Sequence, residues 1–182
     1  RDPDEEHRAS TPLELLFDLS FVVAVSAAAA ALHHDLAHGD FSGLIAYSMM
    51  FFGIWWAWLN YSWFASAYDT GDVVFRLVTF VILTGVLVLA AGVPRVFYDK
   101  PDFKVVVIGY LIMRAALVPM WLRVAHDHLA VRPIALRYAA GIACVQILWV
   151  ARLGFPDGAV GLISFVALAL ALPVVFSRAA QV

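Results

Sequence analysis

Two acidic residues lie one helical turn apart in the apolar stretch TPLELLFDLSFVVAVS, residues 11–26. A carboxylate within a membrane must be neutralised, paired or hydrated, so such acids are candidates for ion or solute binding. Thr11, Pro12 and Glu14 match a capping box, with Thr11 as the N-cap and Glu14 bonding back to the backbone. Glu14 therefore has a structural explanation. Asp18 lies about 10 Å beyond the cap at 1.5 Å per residue, and is the stronger functional candidate.

Further polar side chains interrupt later apolar stretches. If the N-terminus is inside the cell, Asn60, Arg76 and Arg137 are expected near the depth of Asp18. These residues would form an inner polar layer, in which Arg76 and Arg137 are the candidate partners of Asp18. Two interpretations remain open for the layer: a path for a solute or ion, or polar contacts that hold the helices together.

Arg114 and Gln146 are expected deeper, near the middle of their spans. An arginine there costs about 2.5–3.5 kcal/mol on insertion scales, so it needs polar surroundings. Asp18 would lie about 9 Å nearer the inner face along the helix axis. We therefore predict that Arg114 meets water or uncharged groups such as Gln146 and Thr84, and does not contact Asp18.

The stretch WWAWLNYSWF, residues 55–64, concentrates aromatic side chains around Asn60. Tryptophan and tyrosine are common where a span meets the membrane surface, which explains the later part of the stretch. Trp55 and Trp56 lie deeper than this requires. Trp56 is a candidate for a pocket that takes a flat or cationic ligand, and bulky packing between helices is the alternative.

The remaining residue types argue against most other chemistries. Histidines fall at predicted span ends and loops, and no metal site is predicted, although His34 and His38 have helical spacing. Cys144 is the single cysteine, so no internal disulfide is expected. No nucleophile, phosphate or dinucleotide motif is found, which argues against an enzyme and identifies no cofactor. The net charge of −2 makes nucleic acid an improbable partner.

The elements that must position these residues are predicted from the composition of the chain, which is that of an integral membrane protein. The chain of 182 residues is 63% hydrophobic and 14% charged, against about 45–50% apolar and 25% charged in soluble domains. We predict an all-α polytopic membrane protein with about six transmembrane helices in one bundle. A polar N-terminal segment, residues 1–11, precedes a six-helix domain, residues 12–182. The predicted spans are residues 12–32, 43–68, 73–93, 103–125, 133–153 and 159–176.

The distribution of basic residues predicts the orientation. More arginines and lysines fall in the segments that lie inside when the N-terminus is cytoplasmic. An even number of spans then places both termini in the cytoplasm.

The two blocks TPLELLFDLSFVVAVS and WWAWLNYSWFASAYDTGDVVFRL resemble the bacterial low temperature requirement A (LtrA) membrane proteins. Arg114 in YLIMRAALV and the pair Arg137 and Tyr138 add to the resemblance. It covers nearly the whole chain and corresponds to the N-terminal half of the longer family members. It implies a multi-pass protein of the bacterial inner membrane. The family name describes growth in the cold, so the resemblance implies no particular activity.

Three classes of function are consistent with these observations. A transporter or channel-like protein would use the polar residues as a path for a small solute or ion. A structural or assembly subunit would use the same residues as contacts between helices, with membrane lipids, further copies of the chain or a larger membrane complex as partners. A membrane enzyme is the third class. We expect the transport-like function.

Overall fold

The structure, a computed structural model, describes residues 11–98 and 101–152. Within these ranges the chain forms helices and no strand, which confirms the all-α prediction. Five long helices are connected by loops and by two short 3-10 turns, at Val93–Phe97 and Leu129–Val131. The helices are α1 Pro12–Ala37, α2 Gly43–Tyr68, α3 Val73–Gly92, α4 Lys104–Asp127 and α5 Arg132–Arg152.

Polar side chains cap the starts of α1 and α3. Thr11 Oγ1 accepts the backbone N–H of Glu14 at 3.2 Å, and Glu14 Oε2 accepts the backbone N–H of Thr11 at 2.8 Å. The predicted capping box is therefore confirmed. At α3, Asp72 Oδ1 accepts the backbone N–H of Phe75 at 2.7 Å. These contacts satisfy N–H groups that have no partner within the helix.

Helix α1 continues past the predicted end of the first span. The apolar pattern predicts a span over residues 12–32, and the segment that begins at His33 was expected to be a loop. The helix instead extends to Ala37, because helical hydrogen bonding does not require apolar side chains. It ends where Gly39 adopts a left-handed φ of +77°, a conformation that glycine adopts without strain.

The predicted count of six spans is corrected by the structure. Among the described residues, four helical segments are long and apolar enough to cross a membrane: Pro12–Ala37, Val73–Phe97, Lys104–Asp127 and Leu129–Ala151. Helix α2 has sufficient length, with 26 residues. Its tryptophan, tyrosine, serine and asparagine side chains carry polar groups, and these lower its mean hydropathy. The sixth predicted span, residues 159–176, lies outside the described residues.

The described chain divides into two compact units, Arg1–Met113 and Arg114–Val182, with the boundary inside α4. In the first unit, α1 packs against α2 and α3. Phe17, Phe21, Ala24 and Ala28 of α1 are buried in this contact. Ala24 and Ala28 are fully covered, which shows that small side chains allow close approach of the neighbouring helices.

Glycines bring α3 and the first half of α4 together within the same unit. A Cβ atom on Gly109 would lie 2.5 Å from the backbone nitrogen of Leu89 and 2.6 Å from the carbonyl oxygen of Gly85. Only a residue without a side chain fits at this separation. The two backbones therefore approach each other closely where Gly85 and Gly109 meet.

The second unit contains the end of α4 and helix α5. The rings of Trp121 and Tyr138 stack face to face, with centroids 4.6 Å apart and an interplanar angle of 7°. Near the end of α4, Arg123 Nε lies 3.5 Å from Asp127 Oδ2, one helical turn away. The stack is thus an aromatic contact between the two helices of this unit. Whether all helices form one bundle stays a prediction.

Candidate functional site

An open cleft of about 840 Å³ lies in the first unit, at one end of α1, α2 and α3. The first turns of α1, the last turns of α2 and the start of α3 form its walls. Four charged side chains line it: Glu14, Asp18, Asp69 and Arg76. The predicted site residues Asp18 and Arg76 and the cap residues Thr11 and Glu14 are thus brought together in one place. We refer to this cavity as the α1–α3 cleft.

Asp18 is exposed in the α1–α3 cleft and contacts α2. The indole N–H of Trp58 donates to Asp18 Oδ1 at 2.8 Å. The hydrogen-bond partner of Asp18 is therefore a neutral donor, Trp58, on the neighbouring helix. Because the carboxylate lines an open cavity, it does not need to be neutralised by burial against an arginine.

Arg76 lies in the first turn of α3, where it is exposed and lines the same cleft. It forms no ion pair with Asp18, so this one of the two arginines considered as partners of Asp18 is not bonded to it. The backbone N–H of Arg76 donates to the carbonyl oxygen of Asp72 at 3.1 Å. The cleft therefore presents two opposite charges from two helices that do not neutralise each other directly.

Buried aromatic rings form the inner wall of the cleft. The ring of Tyr61 lies 4.3 Å from that of Phe17 and 6.4 Å from that of Phe75, centroid to centroid. Phe17 and Tyr61 are 3% and 5% exposed, respectively. All three rings line the cleft. This wall is rigid and apolar, so a molecule in the cleft would meet charges and aromatic surface together.

A hydrogen bond behind this wall connects α2 to α3. The hydroxyl of Thr79 donates to the carbonyl oxygen of Phe75 at 2.8 Å, and its oxygen lies 2.5 Å from the hydroxyl oxygen of Tyr61. Since the Thr79 proton is already used, Tyr61 is the donor between the two hydroxyls. The sequence analysis did not identify Tyr61 or Thr79 as site residues. Both residues are polar groups within apolar helices, but each helix contains several such groups, so the sequence did not single them out.

Trp56 and Asn60 do not line the cleft. The side-chain N–H of Asn60 donates to the carbonyl oxygen of Trp56 at 2.8 Å, so the amide bonds to its own helix. The ring of Trp56 stacks on Phe52 with an interplanar angle of 12° and also contacts Trp55. The predicted inner layer therefore does not include Asn60 at the cleft, and the Trp56 environment is one of packed rings.

The other three predicted site residues belong to the second unit. Arg114 and Gln146 are buried, at 5% and 8% exposure, whereas Arg137 is exposed. Neither amide atom of Gln146 has a hydrogen-bond partner among the residues that the structure describes. Thr84 is exposed and donates to the carbonyl oxygen of Phe80 on its own helix. The proposed polar surroundings of Arg114 stay a prediction.

The histidines at the end of α1 pack with each other. The rings of His34 and His38 have centroids 4.5 Å apart, and His38 Nδ1 lies 2.8 Å from the carbonyl oxygen of His34. In the following loop, Asp40 Oδ1 accepts the backbone N–H of Ser42 at 2.8 Å, and hydrogen bonding to Ser42 lowers the pKa of Asp40. No group of three metal-binding side chains occurs within residues 11–98 and 101–152.

Comparison with known proteins agrees with the resemblance of the sequence motifs. The chain is 31% identical over 98 residues to an uncharacterised protein, RA0937, of Rhizobium meliloti (strain 1021). The match covers 53% of this chain and 23% of that relative. No solved structure matches the chain. The sequence model of the bacterial low temperature requirement A protein (LtrA) matches residues 9–182. The chain therefore belongs to the LtrA family.

Proposed function

We propose that the protein binds a small polar solute or ion in the α1–α3 cleft and moves it across the bacterial inner membrane. The observation that supports this proposal is the cleft itself: an open cavity of about 840 Å³ at the ends of apolar helices, with charges of both signs on its walls. Charged residues in membrane helices are costly and commonly mark substrate pathways. A purely structural role would not require the charges to face an open cavity.

The orientation predicted from the basic residues places the cleft near the cytoplasmic surface. The N-terminal end of α1 borders the cleft, and a cytoplasmic N-terminus puts this end of the helix inside. In this arrangement the cleft is the inner opening of the path. Both termini are proposed to be cytoplasmic, and lipids are proposed to cover the exposed apolar side chains of α1 to α3.

A structural or assembly subunit is the second candidate. The hydrogen bond from Trp58 to Asp18 and the bond from Tyr61 to Thr79 connect different helices, as polar contacts that stabilise a helix bundle do. In this case the cleft would be the contact surface for a neighbouring membrane protein or a further copy of the chain. Its walls would then be reached from one side of the membrane only.

Cysteine labelling tests transport without knowledge of the substrate. Ser62 lines the cleft and can be changed to cysteine after Cys144, the chain's own exposed thiol, has been replaced by serine. A membrane-impermeant maleimide is then added to vesicles of each orientation. We expect Ser62→Cys to react from both sides, because a transport path must open to both.

The matched control is Ser48→Cys, which lies on the same helix, is exposed and does not line the cleft. This control is expected to react from one side at most. Reaction of Ser62→Cys from a single side, with the vesicles intact, would contradict transport and favour the structural role.

A further inference from the structure

Two opposite charges line the α1–α3 cleft from different helices, Asp18 on α1 and Arg76 on α3. Both side chains are exposed, and no ion pair joins them. Opposite charges that share a cavity at the end of membrane helices attract strongly when water is partly excluded. The cleft of about 840 Å³ that they share is large enough for a small ligand that carries both charges itself.

The other two acids of the cleft already hold the backbone in place. Glu14 Oε2 accepts the N–H of Thr11, and Asp69 Oδ1 accepts the N–H of Gly71 at 2.7 Å. These bonds fix the start of α1 and the turn after α2. Asp18 accepts the indole N–H of Trp58 through Oδ1 alone, so its second oxygen is available to a ligand.

The ends of the helices reinforce this distribution of charge. Arg76 lies in the first turn of α3, where the helix dipole is positive and favours an anion. Ser66 in the last turn of α2 and the C-cap residue Asp69 line the same cleft, and the negative end of that helix favours a cation. The cleft therefore offers favourable surroundings to both an anionic and a cationic group.

We propose that the α1–α3 cleft binds a zwitterion, with its ammonium group at Asp18 and its phosphate at Arg76. The ammonium would bond to Asp18 beside the Trp58 ring, and the guanidinium would donate to two phosphate oxygens. The chemistry is that of glycerophosphoethanolamine, which occurs as a free solute and as the headgroup of phosphatidylethanolamine. This inference rests on the proposed function, because it specifies what the same cleft takes.

Titration calorimetry with glycerophosphoethanolamine tests the zwitterion on the full chain in detergent. Two variants remove one charge each with little change in shape: Asp18→Asn and Arg76→Gln. We expect each to weaken binding by about tenfold or more, because each loses a charge-assisted hydrogen bond. Inorganic phosphate should still bind to Asp18→Asn, and ethanolamine should still bind to Arg76→Gln.

Two further variants are the matched controls, Asp40→Asn and Arg95→Gln. Both positions are exposed and neither lines the cleft, so binding is expected to stay within about twofold of the unchanged protein. Circular dichroism of every variant separates lost binding from lost folding. A protein that does not bind the probe, or that binds it equally well in both cleft variants, would overturn the proposal.

Native mass spectrometry distinguishes the two sources of the headgroup. The protein is mixed with phosphatidylethanolamine and phosphatidylglycerol in equal amounts. A lipid ligand predicts that phosphatidylethanolamine is retained in preference to phosphatidylglycerol and that this retention is lost in both cleft variants. A free solute predicts binding of the probe without preference between the lipids.

The outcomes also separate this inference from the proposed function. If the zwitterion binds and Ser62→Cys is labelled from one side alone, the transport proposal is contradicted and the binding site is supported. If Ser62→Cys is labelled from both sides and the zwitterion does not bind, the transport proposal is supported and the inference about the zwitterion is overturned.

Discussion

At the scale of single residues, Asp18 shows how an acid can be kept in an apolar helix without an arginine partner. Its carboxylate lines an open cleft and accepts one hydrogen bond from Trp58 at 2.8 Å. Glu14, one turn earlier, is used by the capping box. The two acids therefore have different roles although their spacing is that of a single helical face.

The contact between Asp18 and Trp58 can be measured by a double-mutant cycle. Asp18→Asn keeps an acceptor for the indole but removes the charge, and Trp58→Phe removes the donor. A hydrogen bond to a charged group contributes about 1.5–3 kcal/mol and a neutral one about 0.5–1.5 kcal/mol. We expect a coupling energy of about 1 kcal/mol in the free energy of unfolding in mixed micelles. Strict additivity of the two changes would show that the charge of Asp18 does not strengthen the bond.

The buried hydroxyl pair predicts an asymmetry between two similar changes. Tyr61→Phe removes the donor and leaves Thr79 bonded to the carbonyl oxygen of Phe75, so we expect a loss of about 1 kcal/mol. Thr79→Val keeps the shape and leaves the buried hydroxyl of Tyr61 without its acceptor, which costs about 1–3 kcal/mol. Thermal unfolding of both variants checks the order. A more severe effect of Tyr61→Phe would contradict the assigned direction of the bond.

At the scale of the helices, a close approach occurs between α3 and α4. It depends on Gly85 and Gly109, because a Cβ on Gly109 would lie 2.5 Å from a backbone atom of α3. Backbone atoms cannot move away as the end of a flexible side chain can. The separation of these two helices is therefore fixed by the absence of side chains at two positions.

Alanine substitutions test this contact. Gly109→Ala is expected to lower the free energy of unfolding by about 1–3 kcal/mol or more, as overpacking does. Gly53→Ala in α2 is the control, because nothing lies within 4 Å of an added Cβ there. Alanine has the higher helix propensity by about 1 kcal/mol, so this variant should be as stable as the unchanged protein or more so. Equal tolerance of both changes would mean that α3 and α4 are further apart.

At the scale of the whole molecule, the number of membrane crossings decides where the cleft opens. The described residues contain four helices that are long and apolar enough to cross, and α2 is as long but less hydropathic. If α2 crosses as well, the cleft remains at one membrane surface, because its walls are the adjoining ends of α1, α2 and α3.

Reporter tags on the two termini test the topology. With an even number of crossings we expect both tags on the cytoplasmic side, as the distribution of basic residues predicts. An alkaline phosphatase fusion, active only outside the cytoplasm, and a fluorescent protein fusion, active only inside, give the measurement. Tags on opposite sides would show an odd number of crossings and would contradict the proposed arrangement of the termini.

The sequence by itself determined the properties that depend on neighbouring residues. The capping box at Thr11 and Glu14 was predictable because its hydrogen bonds join residues three positions apart. The helix starts at Pro12, Gly43 and Val73 were predictable because turn residues and long apolar runs mark them. The LtrA family followed from the two motif blocks. None of these features requires knowledge of how the helices pack.

The tertiary structure alone decided which residues meet. Helices α1 and α2 are apolar on most sides, so their sequences do not mark which face turns towards a neighbour. The predicted partner of Asp18 was an arginine, whereas the rotation of α2 places Trp58 there. The same rotation brings Tyr61 to Thr79 and directs Asn60 to its own backbone. Contacts between helices depend on rotation and separation, which are set by packing over the whole interface and not by local spacing.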